Sequence, residues 1–274
     1  MKPPVKNIAI WLLLWLTVFA CKKDNNSPGS GNDIPETVPP VQKGVTVAVN
    51  GNIGGYLEAL PARYDSTTKN YPLLIFLHGA GETGNGASDL NNVAKNATPA
   101  LIKNKKFPPA FISGNQQFSF IVLTPQFNGW PSPADVNDMI NYGISHYRVD
   151  VSRIYVSGLS MGGGAAWEYA AAFGSTVAAV APICGASGPS DAKAQKIVSA
   201  NLPVWAFHNK DDSTVTYLNS TGYVDKLNNV GVNPPALLTL WLTGGHNAWT
   251  KATDPNYKEQ GKNIYEWMLQ YTRQ

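Results

Sequence analysis

Three residue types in a fixed order carry the chemistry this chain is equipped for: Ser160, then the adjacent carboxylates Asp211 and Asp212, then His246. A serine hydroxyl is a poor nucleophile at neutral pH, so an imidazole must take its proton and a carboxylate must orient that imidazole and stabilise its cation. Such a relay attacks carbonyl carbon. Ser160 sits in Gly158-Leu159-Ser160-Met161-Gly162, after the strand-like run Arg153–Ser157 and before a small-residue stretch. Gly-x-Ser-x-Gly in that setting is the sequence form of a sharp strand-to-helix turn that exposes its central side chain, a nucleophile elbow. Gly158 and Gly162 are small enough to let strand and helix pack closely. The pattern alone is common by chance, so an acid and a histidine must follow at the ends of later strands.

Both do. The apolar run Val204-Trp205-Ala206-Phe207 leads into His208-Asn209-Lys210-Asp211-Asp212. Adjacent side chains leave a turn in different directions, so one carboxylate reaches the histidine and the other is a solvated or helix-capping Asp. His246 follows Ala236–Leu242, in Thr243-Gly244-Gly245-His246, where two glycines free the loop to fold the imidazole back over a sheet. It is the expected base. Charge developing on the carbonyl oxygen needs donors, and the expected ones are the backbone N–H groups of Met161, directly after the nucleophile, and of Ala80.

Ala80 lies in His78-Gly79-Ala80-Gly81-Glu82-Thr83-Gly84, whose glycines also match a dinucleotide-binding fingerprint. That fingerprint needs a helix starting inside it and an acidic residue at the end of the next strand; here a loop continues and the next strand ends Thr124-Pro125-Gln126. No cofactor is expected. His78 and His208 end core strands and His146 ends a helix, so each reads as structural, and no two histidines stand at metal-ligand spacing. No metal is expected either. Trp130, Trp167 and Trp249 lie near cleft-forming segments, where they would stack on an aromatic acyl group or a sugar, or else fill the core.

These residues need elements to position them. Val45–Val49 and Gly55–Leu60 flank Asn50-Gly51-Asn52, a hairpin signal, so the fold opens antiparallel. Leu73–Leu77 is an uninterrupted apolar run, as expected of a strand covered on both faces, and 118–123, 153–157, 177–183, 203–207 and 236–242 repeat it. Helical patterns at 134–146, 160–173, 217–228 and 263–271 alternate with them, which predicts an α/β fold: a mostly parallel eight-stranded sheet with helices on both faces. Residues 84–109 carry no strand signal and one short helical pattern at 99–103, a long excursion beside the loop after Leu77.

Composition adds boundaries. Charged residues make up 14% of the chain and the formal net charge is +3, two charges of which come from Lys2 and Lys6, so no basic stripe points to nucleic acid. Lys2 and Lys6 precede the apolar run Ile8–Ala20, which is shorter than the about 20 residues of a membrane-spanning helix and has the charged-then-apolar order of an export signal. Residues 1–20 are read as a signal peptide. Val18-Phe19-Ala20-Cys21 resembles the lipobox of bacterial lipoproteins, with Phe19 in place of a small residue. The resemblance implies lipidation at Cys21 and an outer-membrane or cell-surface location, with a periplasmic or secreted protein as the alternative. Cys184 is then left without a partner and reads as a small buried side chain. Residues 21–41 are rich in Asn, Ser, Gly and Pro and read as a lipidated cysteine and flexible tether, and 42–274 as one catalytic domain.

Beyond the triad order, four runs resemble bacterial carboxylesterases of the α/β-hydrolase fold: Leu77–Gly84, Tyr147–Gly163, Ala181–Gly185 and Gly245–Trp249. The group resembled is the phospholipase/carboxylesterase and polyhydroxybutyrate-depolymerase-like esterases, neighbours of feruloyl and acetylxylan esterases, over about residues 45–271. In that family the acid falls in His-Gly-x-x-Asp-x-x-Val, which maps onto His208–Val215 and selects Asp212, with Asn209 in place of the glycine. Gly164 stands where many relatives have an aromatic residue, which implies a cleft opened beside the nucleophile. The resemblance implies a serine esterase acting on short-chain or plant-polysaccharide-linked acetyl or feruloyl esters, touching the membrane through its lipid anchor only. Its rivals are a prolyl-oligopeptidase-like peptidase, which gates access with a large extra domain not seen before Val45, and a catalytically silent binding protein.

Overall fold

The computed structural model describes Met1, Pro4 and residues 34–273. Most of the stretch expected to be a signal peptide, Cys21 and most of the expected tether lie outside the described residues. Ile34 to Pro40, read from sequence as the end of that tether, touch the fold: Glu36 is buried and accepts from the Arg63 amide at 3.1 Å, and Arg63 Nη1 donates to the Ile34 carbonyl at 3.1 Å.

The chain opens with β1 (Val41–Asn50) and β2 (Ile53–Leu60), paired antiparallel around a turn in which the Asn50 side chain accepts from the Asn52 and Ile53 amides. Then follow β3 (Tyr71–Leu77), α1 (Ala97–Lys103), a short β4 (Phe111–Ser113) and β5 (Gln116–Phe118) hairpin, and β6 (Ile121–Phe127). Next come α2 (Pro133–His146), β7 (Val149–Leu159), α3 (Met161–Phe173), β8 (Ala179–Ile183) and α4 (Asp191–Ser199). The chain ends with β9 (Trp205–Asn209), α5 (Leu218–Val230), β10 (Leu237–Trp241), α6 (Trp249–Ala252) and α7 (Ile264–Met268).

Eight strands form one sheet in the order β1-β2-β6-β3-β7-β8-β9-β10, antiparallel through β2 and β6 and parallel from β6 onward. This is the α/β-hydrolase architecture. β3 shows why its sequence is apolar throughout: all seven residues are buried, with Leu73, Ile75 and Leu77 in the core beneath α2, α3 and α5, and Leu74 and Phe76 in the core beneath α1, α6 and α7. Helix starts follow from capping chemistry. Ser132 accepts from the Asp135 amide while Asp135 accepts from the Ser132 amide, with Pro133 in the first turn, and Asn263 caps α7 in the same reciprocal way with Glu266.

Besides the four-residue α6, the β4–β5 hairpin and α4 had no sequence expectation. The β4–β5 hairpin has three-residue strands, and α4 buries only Ala194 and Ile197, so neither shows a sustained apolar period. Two cavities, of about 270 and about 550 Å³, lie at the N-terminal ends of the parallel strands, one by Trp205 and Leu237 and the other by Tyr71 and Asp150. The strand C-termini, where Ser160, Asp212 and His246 stand, are at the opposite end of the sheet.

Candidate active site

Ser160 joins β7 to α3 with φ 54° and ψ −114°. That is the left-handed side of backbone space, strained for a residue with a side chain, and it persists because both sides are fixed. The Ser160 amide donates to the Ile183 carbonyl at 3.0 Å, and its own carbonyl accepts from Gly164 at 2.8 Å and Ala186 at 3.0 Å. The flanking glycines are required by contact. A Cβ on Gly158 would stand 2.7 Å from the Gly162 carbonyl, and one on Gly162 2.2 Å from the Leu77 oxygen. Gly164 corrects one expectation: it is buried, and a Cβ there would lie 2.7 Å from the Ala186 oxygen, so its smallness admits backbone instead of opening a cleft.

The structure brings two distant side chains to this turn. His246 Nε2 lies 2.9 Å from Ser160 Oγ, and His246 Nδ1 lies 2.7 Å from Asp212 Oδ2. A carboxylate only accepts, so Nδ1 carries the proton and the Nε2 lone pair faces the serine hydroxyl. The Asp212 side chain is fully buried, and its Oδ1 accepts from the Thr214 and Val215 amides at 2.8 and 2.9 Å. Burial alone would raise this carboxyl, but the hydrogen bonds from His246, Val215 and Thr214 outweigh it and hold it below the usual carboxylate range. Asp211 is exposed, as expected of the unused carboxylate, but it caps no helix and is not idle. It accepts from the backbone amides of Gly244 and Gly245 at 3.2 and 2.8 Å.

The loop after β3 lies against the elbow. A Cβ on Gly79 would come within 2.7 Å of Leu159 Cδ1 and 3.7 Å of Ser160 Cβ. Ala80 starts a 3-10 turn and Met161 starts α3, so the N–H of each has no acceptor within its own helix. Residues the sequence did not single out hold this loop. Buried Glu82 accepts from the Gly79 amide at 2.9 Å and from Asn96 Nδ2 at 2.5 Å, and buried Gln126 bridges the Glu82 carbonyl, the Asp89 carbonyl and the Gly86 amide. A glutamine closing an apolar strand was the available signal. His78 donates from Nδ1 to the Gly79 carbonyl at 2.7 Å and accepts the Phe127 amide on Nε2 at 2.9 Å, a structural residue as expected. Burial pushes its imidazole down to about 4.

His208 is also structural. Its Nε2 faces the Val215 carbonyl at 3.0 Å and Asp212 Oδ2 at 3.2 Å, and its Nδ1 faces Ser220 Oγ at 2.8 Å. Trp249, at the start of α6, meets the His246 ring edge-on at 5.4 Å between centroids. Trp130 projects from the β6–α2 connection, 58% exposed, and makes no ring contact among the described residues. Trp167 is core, stacked on Tyr223 at 4.0 Å.

Cys184, Asp212 and His246 place one potential ligand atom each within 4.8 Å of one another. Their chemistry fits a metal poorly. Burial pushes the Cys184 thiol up to about 12, and Asp212 already accepts four hydrogen bonds, from His246, His208, Thr214 and Val215.

Comparison with known proteins agrees with this architecture. A bifunctional acetylxylan esterase/xylanase of Neocallimastix patriciarum is 25% identical over 199 residues, covering 72% of this chain and 26% of that protein. The chain therefore spans about a quarter of the length of the curated relative it matches. Among solved structures, a thermostable esterase superposes with a TM-score of 0.61 at 26% identity, covering 86% of this chain and 63% of the other. A feruloyl esterase module from Clostridium thermocellum, complexed with sinapinate, gives 0.60 at 18% identity over 84% and 90% of the two chains. The model of the phospholipase/carboxylesterase family matches residues 64–234, from the approach to β3 through the elbow and Asp212 to the end of α5, and by that match the chain belongs to the family.

Proposed function

We propose that this chain is a serine carboxylic-ester hydrolase working through an acyl-enzyme on Ser160. The reading rests on one observation above all: Ser160 Oγ, His246 and Asp212 stand in a continuous hydrogen-bonded line at 2.9 and 2.7 Å, on a strained strand-to-helix turn. His246 Nε2 takes the hydroxyl proton as Ser160 Oγ bonds to the ester carbonyl carbon, and Asp212 stabilises the imidazolium. The carbonyl oxygen, now anionic, accepts from the Met161 and Ala80 amides, each donor contributing about 3 kcal/mol of transition-state stabilisation. The C–O bond then breaks, His246 gives its proton to the departing alcohol, and water repeats the cycle to release the acid.

Substrate class follows from the neighbours and is part of the proposal. The acetylxylan and feruloyl esterases among the similar proteins favour acetyl or feruloyl groups linked to plant polysaccharide, alongside simple short-chain esters. Trp249 against the imidazole gives the site an aromatic wall. Export and lipid anchoring at Cys21 complete the reading, supported by the charged-then-apolar order ahead of that cysteine. Ser160→Ala is expected to abolish hydrolysis of p-nitrophenyl acetate, and unchanged turnover in that variant contradicts the proposal. For anchoring, Cys21→Ser should release the protein from the membrane fraction of an expressing bacterium; equal retention of both forms counts against lipidation.

A further inference from the structure

His246 stands on a loop whose own sequence favours mobility. Leu242, Thr243 and Gly244 are exposed, and Gly244 and Gly245 adopt φ of 144° and 57°, conformations that suit glycine. Glycine also loses the most freedom on ordering, so an unrestrained loop would carry the imidazole through many positions relative to Ser160.

Contacts from the end of β9 remove that freedom. Asp211 accepts the Gly245 amide at 2.8 Å and the Gly244 amide at 3.2 Å. Asn209 Nδ2 donates to the Gly245 carbonyl at 2.9 Å, and the Lys210 amide donates to the Trp241 carbonyl at 2.7 Å, carrying the β9–β10 pairing past the strand ends. The buried Asn209 side chain lies so close that a Cβ on Gly244 would stand 2.6 Å from Nδ2. Both polar groups of Gly245, the residue before the base, are thus held by residues just ahead of Asp212. One short segment fixes the acid and the loop of the base together. A glycine at 209, as in the pattern of the resembled family, has no side chain to make this contact.

We propose that Asn209 and Asp211 are positioning residues that hold His246 in line with Ser160, neither touching the substrate. The inference rests on the ester-hydrolase reading for its rate consequences only. Misplacing a reacting group by about 1 Å costs up to about a hundredfold in rate, so loosening this clamp should act on kcat.

The test uses the full chain with Asp211→Ala and Asp211→Asn, since Asp211 is exposed and its removal leaves the core intact. Turnover of p-nitrophenyl acetate, thermal unfolding and the downfield proton resonance of the His246 Nδ1–H are measured on each. Asp211→Ala is expected to lower kcat by about tenfold or more with KM within about twofold, and to broaden that resonance at an unchanged melting midpoint. Asp211→Asn, which keeps one carbonyl acceptor, should recover part of kcat and sharpen the signal. Asn209→Ala should move kcat and the resonance in the same direction as Asp211→Ala. Wild-type kcat and an unaltered resonance in Asp211→Ala overturn the proposal, as does a loss of kcat that only tracks a falling melting midpoint. A wild-type protein inactive on every ester would refute the hydrolase reading, while the resonance comparison would still decide the clamp.

Discussion

At the scale of single residues, Asp212 is the most heavily committed side chain in the site. Its Oδ2 faces both His246 Nδ1 and His208 Nε2, and its Oδ1 takes two backbone amides. His208 has its own imidazole pushed down by burial, and its Nε2 proton is shared with the Val215 carbonyl, so it stays neutral and braces the carboxylate. This division of labour makes a sharp prediction. Asp212→Asn keeps the shape but supplies an amide that can donate to His246, which favours the wrong imidazole tautomer. Steady-state kinetics should show kcat lower by about 10⁴-fold, with KM little changed. A loss of less than tenfold would mean that another group orients the imidazole. Choosing between Asp211 and Asp212 from local spacing was impossible because loop geometry decides which side chain reaches the histidine. The family pattern selected Asp212, and what Asp211 does had no sequence signal: its partners Gly244 and Gly245 meet it only through the pairing of β9 with β10.

At the scale of elements, the elbow is a packing problem before it is a chemical one. β7 must end and α3 must begin within one residue, with the helix start pressed on the end of β3. Gly162→Ala would drive a Cβ to 2.2 Å from the Leu77 oxygen, an atom of a central strand that cannot yield. Chemical denaturation should show a loss of about 3 kcal/mol, and activity should fall with it because Ser160 and the Met161 amide move together. Wild-type stability in this variant would show that the helix start shifts freely. The elbow was legible because its apolar run and two obligate glycines are adjacent in sequence. The β3 loop was legible only as a glycine-rich stretch. Its supports, Glu82, Asn96 and Gln126, are polar groups whose burial depends on where residues 84–109 fold back, a tertiary fact without a local pattern.

At the scale of the whole molecule, buried histidines tie stability to pH. The His78 imidazole takes up its proton near 6.5 in the unfolded chain and only near 4 in the folded protein, because burial disfavours the cation. Folding therefore excludes a proton between these values. The associated stability is fully present above pH 6.5 and is lost as pH falls toward 4, on the order of 3 kcal/mol for this group. His208, also lowered by burial, adds to the loss over the same range, whereas the contribution of Asp212, lowered from 3.8, is lost only as pH falls below that value. Urea titrations at pH 7 and pH 4.5 should show this fall in the wild type and a smaller one in His78→Asn; equal falls would remove His78 from the explanation. The strand and helix alternation that predicted this sheet was readable because both of its faces are apolar, whereas α4 and the β4–β5 hairpin, with few buried residues each, were not.

In the proposed reaction Ser160 carries the acyl group. Intact-protein mass spectrometry after brief reaction with p-nitrophenyl acetate and an acid quench, followed by peptide mapping, tests it directly. A single acetyl adduct is expected on the peptide containing Ser160, and none in Ser160→Ala. An adduct on another residue, or one that persists unchanged in Ser160→Ala, would contradict it.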